Sequence, residues 1–365
     1  GSRKPEVNQP NLRPLLLVLF VGVLMGALDL AIIGPALPAI QADFGIDARS
    51  LAWIFSIYLL FQLVGTPLMA KLSDRYGRRA IYVLNLALFG LGSLLLVLAP
   101  SFALLLVGRA IQGVGAGGIF PIASAVIGDT FPPEKRGPTL GLLGAVFGIA
   151  FLIGPILGGI FLRFSWHWLF LINLPIVAVL IWQSLRLLPG SGAAVRKPFD
   201  GAGALLLSIV LGSLAIVLTE LDSSNVVASL LSLPVAPFAV LAVVLAPVFW
   251  RVEHKAEDPI VPPRMLGSLQ MRLTGAIAIG TGTLEAGSAF FPALAVAALG
   301  VTDYNASLLM LPSVLATTIG APVMGRLLNV FGSRLLVQSG LACVAIGALV
   351  YALTDLTVTL FIIGG

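Results

Sequence analysis

The chain reads as an all-α polytopic membrane protein, two related helical bundles with two further helices inserted between them. Three observations carry that reading. Of its 365 residues 58% are hydrophobic and only 10% are charged, whereas soluble domains carry about 25% charged residues. Apolar runs of about 20 residues, long enough to cross a bilayer as helices, recur along the whole length. Lys and Arg gather in alternate connections between those runs, the asymmetry that marks one face of a membrane.

The first apolar run covers 14–39. It follows Gly1-Ser2, which resembles an expression scar, and lacks a small-residue cleavage site, so it is expected to stay as a spanning helix. Ten more runs follow at 51–70, 80–99, 102–128, 138–162, 167–188, 202–221, 229–250, 270–298, 305–328 and 335–353. A twelfth begins near Leu356 and breaks off at Gly365. A membrane helix cannot stop in lipid with its backbone unsatisfied, so a longer natural protein is expected. The six runs within 14–188 form a first bundle. Residues 189–201, with Gly, Ser, Ala and Pro, read as a cytoplasmic linker, and 202–250 as the two inserted helices. Residues 251–268 then form a charged cytoplasmic loop, and 269–365 open a second, truncated bundle.

With the N-terminus inside, 18 of the 21 Lys and Arg fall in cytoplasmic segments, which orients the chain. Trp166 and Trp168 stand at an external helix end, where an aromatic belt is expected. The net charge of +5 is explained by this topology and by contact with anionic membrane lipid, so no nucleic acid is expected as a partner. Cys343, the single cysteine, excludes a disulfide framework and a Cys-based metal site.

The short connection Lys71 to Arg79 carries four of the basic residues, Lys71, Arg75, Arg78 and Arg79. Gly77 permits a tight turn there, and Asp74 can accept from arginine forks or helix N-termini. A second stretch, Gly325 to Arg334, aligns with Ala70 to Arg79 at a constant offset of 255 residues. That offset carries Asp29 to within one residue of Glu285, and Pro35-Ala36-Leu37 has a counterpart in Pro292-Ala293-Leu294. Parallel repeats of this kind imply two bundles with a path between them.

Charges inside the runs are the candidate chemistry. An ionised group at the depth of Asp29 or Glu285 costs at least about 2.5–3.5 kcal/mol, so each is expected to face a cavity or a partner. Desolvation favours the neutral carboxyl, which makes each a candidate proton site opening alternately to the two faces. The alternative is a structurally paired acid. Glu220, at the external end of an inserted helix, reads as a snorkelling surface acid. Arg109 is the one cation within a run, at a depth within a turn of Asp29. A pair is expected, weakened when Asp29 takes a proton; the alternative is an arginine that only holds the bundle together.

Gly154, Pro155, Gly158 and Gly159, in the glycine-rich run from Gly141, let neighbouring backbones approach closely. Phe147, Phe151, Phe290 and Phe291, with Gln62 and Gln112, are candidates to line an amphipathic cavity for lipophilic or cationic ligands. For each phenylalanine, lipid-facing or packing duty is the alternative. Gly113-Val114-Gly115-Ala116-Gly117-Gly118 spells a dinucleotide fingerprint but follows no strand. His167 and His254 have no partner pattern for metal, and neither a phosphate loop nor a nucleophile elbow occurs. Neither an enzyme nor a cofactor is expected.

Taken together these residues resemble the major facilitator superfamily, and within it the fourteen-helix drug/proton antiporters. The loop between the second and third helices matches at Leu72, Asp74, Arg75, Gly77, Arg78 and Arg79, with Ala70 where glycine is usual. The fourth helix matches at Arg109, Gln112, Gly113 and Gly115. The fifth matches at Gly141, Gly154, Pro155, Gly158 and Gly159, with Ala150 replacing a glycine, and the first at Leu28, Asp29, Ala36, Leu37 and Pro38. Asn329 departs from the gating pattern in the second repeat. The resemblance implies the major facilitator fold and proton-driven multidrug export by alternating access. It also implies proton coupling through Asp29 and Arg109, gating by Asp74 and the arginines, and residence as a monomer in a prokaryotic plasma membrane. A lipid or lipid-conjugate exporter on the same scaffold is the rival reading, and a non-transporting receptor or scaffold is the reading from another class.

Overall fold

The computed structural model describes residues 12–190, 200–221, 225–263, 267–288, 299–300, 309 and 311–353. The first helix, α1 (Arg13–Phe44), has Pro14 in its first turn and stops at Gly45, whose φ of 61° turns the chain while its N–H donates back to the Gln41 carbonyl. In α2 (Ala48–Tyr76), the Asp47 carboxylate caps the N-terminus by accepting from Ser50 N at 3.2 Å. Then come α3 (Arg78–Val97), α4 (Phe102–Thr130), capped by Ser101, and α5 (Pro133–Leu162). A short turn α6 (Trp168–Leu171) leads into α7 (Asn173–Leu187). The inserted hairpin is α8 (Gly201–Glu220) and α10 (Ala236–Lys255), with α9 (Val226–Leu230) between them. Two helices of the second unit follow, α11 (Leu269–Ser288) and α12 (Leu311–Leu353). Among the described residues there is no strand, and nine helices are long and apolar enough to cross a membrane.

Two boundaries differ from the sequence expectation. The stretch Lys71 to Arg79 is helical almost throughout, because α2 continues to Tyr76 and α3 resumes at Arg78. Charged side chains at a water-facing helix end do not require a loop. Only Gly77, at φ 98° and ψ 145°, departs from helical geometry, a conformation open to a residue without Cβ. The runs 305–328 and 335–353 share α12, which breaks at Gly332 with φ 75° and ψ 161°. Gly77 and Gly332 are separated by the same 255 residues as the sequence repeat, so the repeat reappears in the backbone.

Packing explains the central glycines of α4, Gly113, Gly115, Gly117 and Gly118. A Cβ on Gly117 would stand 2.8 Å from the Gln62 carbonyl of α2, and one on Gly115 would stand 2.6 Å from both Asn85 O and Phe89 N of α3. The dinucleotide spelling is thus a two-sided packing face, in which small residues substitute contact for bulk. Around it lie two apolar clusters. One holds Leu19, Tyr82, Phe89, Ile122 and Val126, and the other Ile33, Ile40, Ile54, Leu96 and Phe170. Gly115→Val is expected to cost about 1–3 kcal/mol by overpacking, seen as a lower melting temperature in detergent. Gly128→Ala, whose Cβ meets nothing within 4 Å, serves as the control and should not lower it.

Candidate functional site

Between the two apolar clusters α1 and α4 bring Asp29 and Arg109 together. Arg109 Nη1 donates to Asp29 Oδ2 at 2.5 Å, with Asp29 1% exposed and Arg109 fully buried. The pair expected from matched depth is present. Nη1 also donates to Gln112 Oε1 at 2.8 Å, and Nε to the Ile54 carbonyl at 3.2 Å. The guanidinium lies over the Tyr58 ring, 4.1 Å from its centroid, an arrangement in which the ring face favours the cation. Asp29 Oδ1 accepts from Gln112 Nε2 at 3.2 Å and from Asn173 Nδ2 at 3.4 Å. Both amides also donate to Ser93 Oγ, at 2.8 and 3.2 Å.

Three donors, the Arg109 guanidinium among them, thus replace the water that the Asp29 carboxyl has lost. Arg109 Nη2 is buried and has no acceptor. A proton on Asp29 would therefore leave the guanidinium without its counter-ion in a dry interior, and the arginine would have to rearrange or rehydrate. Tyr58, Ser93 and Asn173 complete the cluster, though nothing in the sequence singled them out. Uncharged polar residues are common in apolar runs, and the one available signal was their depth, close to that of the acid.

At the basic end of the bundle Arg78 pairs with Asp74, lies 3.1 Å from Asp129 Oδ2, and donates to Ser73 Oγ at 2.8 Å. Arg79 reaches the Leu185 carbonyl at 3.4 Å. Arg75 lies 5.3 Å from the centroid of the Tyr76 ring. Lys71 pairs with Asp258 at 2.7 Å and donates to the Pro259 carbonyl at 3.1 Å, which ties α2 to the turn after the inserted hairpin. Asp129 and Asp258 are further partners of these basic residues that motif reading missed.

The small residues of α5 divide by depth. Toward the basic end, a Cβ on Gly141 would stand 2.5 Å from the Ala321 carbonyl of α12, and one on Gly325 would stand 2.7 Å from the Gly137 carbonyl. Toward the other end, Gly154 lies against Ala31 and Gly158 against Pro35, both on α1, and Gly159 faces open space. Pro155 lies on the same helix between them.

The described cavity candidates lie in different surroundings. Gln112 is fully buried inside the acid–arginine cluster, and Gln62 is half-buried on α2. Phe147 packs edge-on against Phe120 at 5.7 Å, while Phe151 is exposed. A cavity of about 400 Å³ lies elsewhere, between α1 and α7, lined by Leu17, Val21, Ile176 and Val179 among others. Glu285 lies on α11, and Phe290 and Phe291 lie outside the described residues.

Comparison with known proteins agrees with this architecture. The profile of the Major Facilitator Superfamily matches residues 19–365. The chain is 39% identical to the uncharacterized MFS-type transporter YfiU of Bacillus subtilis, over 84% of its own length and 60% of that protein's. It is 32% identical to multidrug resistance protein 3 of the same organism, over 87% and 62%. It therefore spans about three fifths of the length of these curated relatives. The crystal structure of the human organic anion transporter MFSD10 (TETRAN) superposes with a TM-score of 0.64 at 20% identity, covering 94% of this chain and 77% of that one. With buried charge between helices of one bundle, a repeat carried in the backbone and a family match along nearly all its length, the chain belongs to the Major Facilitator Superfamily of membrane transporters.

Proposed function

We propose that this chain is part of a proton-driven exporter of small lipophilic or cationic compounds, working by alternating access with its basic end in the cytoplasm. The observation that carries the reading is the fully buried Asp29–Arg109 pair and its spare guanidinium nitrogen. Protonation of Asp29 discharges the pair, and the freed arginine supplies differential energy between two arrangements of the bundles. A ligand shifts such an equilibrium only through that difference. Glu285 is proposed as a second proton site in the other unit. Asp74 and the arginines around Gly77 are proposed as the gate at the cytoplasmic end, together with the close approach of α5 and α12 at Gly141 and Gly325. The names of the relatives, multidrug resistance and efflux, support export of drug-like molecules.

The test is substrate flux in proteoliposomes with an imposed pH gradient. Asp29→Asn is expected to keep downhill exchange of substrate but to lose gradient-driven accumulation, and Glu285→Gln to weaken it. Accumulation indifferent to the gradient in the parent protein would reject proton coupling.

A further inference from the structure

A second pair of acids lies away from the Asp29 cluster, at the base of the inserted hairpin. Asp200 caps α8, its Oδ1 accepting from Gly203 N at 2.7 Å. Glu253, near the end of α10 and 1% exposed, accepts from Val261 N through Oε2 at 2.9 Å. The two remaining oxygens, Asp200 Oδ2 and Glu253 Oε1, are both buried and both lack a donor. They converge over Gly203, where a Cβ would stand 2.2 Å from Asp200 Oδ2 and 2.4 Å from Glu253 Oε1, so any side chain there would collide with both.

Two ionised carboxylates cannot satisfy this arrangement. Each offers only acceptors, so a charged pair would leave two buried lone-pair sites empty and set like charges against one another. A single proton removes both faults at once, by turning one acid into a donor toward the other. The charged and titratable neighbours offer no other remedy. On α10 itself Arg251, His254 and Lys255 are exposed, and His254 Nδ1 is in hydrogen-bonding contact with the Trp250 carbonyl. In the following turn Glu257 and Asp258 add negative charge. From α2 the nearby cation is Lys71, already engaged by Asp258. Among the described residues no ion pair reaches either carboxyl.

We propose that Asp200 and Glu253 bind one proton between them, at a site separate from the coupling acid, and that this proton fastens the base of the hairpin. The consequence reaches the gate, because the turn fixed by Glu253 at Val261 is the turn that holds Lys71 through Asp258 and Pro259. The sign is set by the neutral form being the stabilised one. The fastening is present at low pH and is lost as pH rises and the second carboxylate forms. Cytoplasmic acidity would thus regulate how firmly the hairpin grips α2.

The test uses the whole chain in lipid nanodiscs, melted across a pH series and followed in parallel by infrared absorption of protonated carboxyl groups. The parent is expected to show a protonated-acid band, at the acidic end of the series, that Glu253→Gln and Asp200→Asn each remove, and a melting temperature that falls as pH rises. Glu253→Gln supplies a permanent donor to Asp200, so it should hold the low-pH melting temperature across the series, whereas Glu253→Ala should be lower at acidic pH. Asp29→Asn should lower the melting temperature at every pH but keep both the infrared band and the fall of melting temperature with pH, which separates this site from transport coupling. An unchanged infrared band in both amide variants overturns the proposal. So does a Glu253→Gln protein that melts with the pH dependence of the parent or below it throughout.

Discussion

Arg109→Ala is expected to abolish gradient-driven transport and to destabilise the bundle by about 3–5 kcal/mol, the cost of leaving one member of a buried ion pair alone. At about 1.4 kcal/mol per tenfold change, that is roughly two to three and a half orders of magnitude in the folding equilibrium. Arg109→Lys is not a rescue. A lysine has one nitrogen in place of the fork that reaches Asp29, Gln112 and the Ile54 carbonyl, and it loses the planar contact with Tyr58. The diagnostic result is the double variant. Asp29→Asn with Arg109→Gln removes both charges together, so it should recover much of the stability lost in Arg109→Ala while remaining unable to couple flux to protons. Thermal melts of the two variants and the parent read the first effect, and proteoliposome accumulation the second. Single and double variants that melt alike would mean the two side chains do not depend on each other.

The contrast between charged and uncharged members of that cluster shows how far sequence carries. Asp29 and Arg109 were legible because each is expensive alone at its depth, and only a partner at matching depth relieves the cost. Gln112 reads from sequence as a cavity candidate, since an amide does not announce which neighbour it will bond. Tyr58, Ser93 and Asn173 come from α2, α3 and α7, and their convergence is a property of helix packing rather than of any local pattern. The all-helical membrane architecture and the repeat were legible for a related reason, because both follow from apolar run length and constant spacing. The end of α2 was not, since charge near Lys71 reads equally as loop or as a helix emerging into water. The Asp200–Glu253 convergence joins residues from opposite ends of the inserted hairpin, a pairing settled only by how α8 lies against α10.

Gly141→Val is expected to produce the other large effect, a transporter unable to close its basic end. A Cβ at this position stands 2.5 Å from the Ala321 carbonyl and 3.1 Å from the Gly325 Cα, both backbone atoms that cannot swing aside. Overpacking of this kind costs about 1–3 kcal/mol, so the closed-to-open ratio should fall by roughly five- to 150-fold. Gly325→Val, clashing with the Gly137 carbonyl from the other side, should behave alike, whereas Gly144→Ala makes only an ordinary 3.8 Å contact with Ala321 and should be neutral. Spin-label distances across the α5–α12 contact would read the populations directly, and a Gly141→Val protein with the parent's distances would remove this contact from the gate. The same helix supplies its own comparison. Gly154 meets Ala31 of α1 at 2.5 Å from its Cβ position, a contact within one bundle that the proposed alternating access would leave unchanged. Gly154→Val should therefore lower the melting temperature without shifting the spin-label distances. Two glycines on one helix then separate by phenotype, conformational bias where the halves meet and plain instability where they do not.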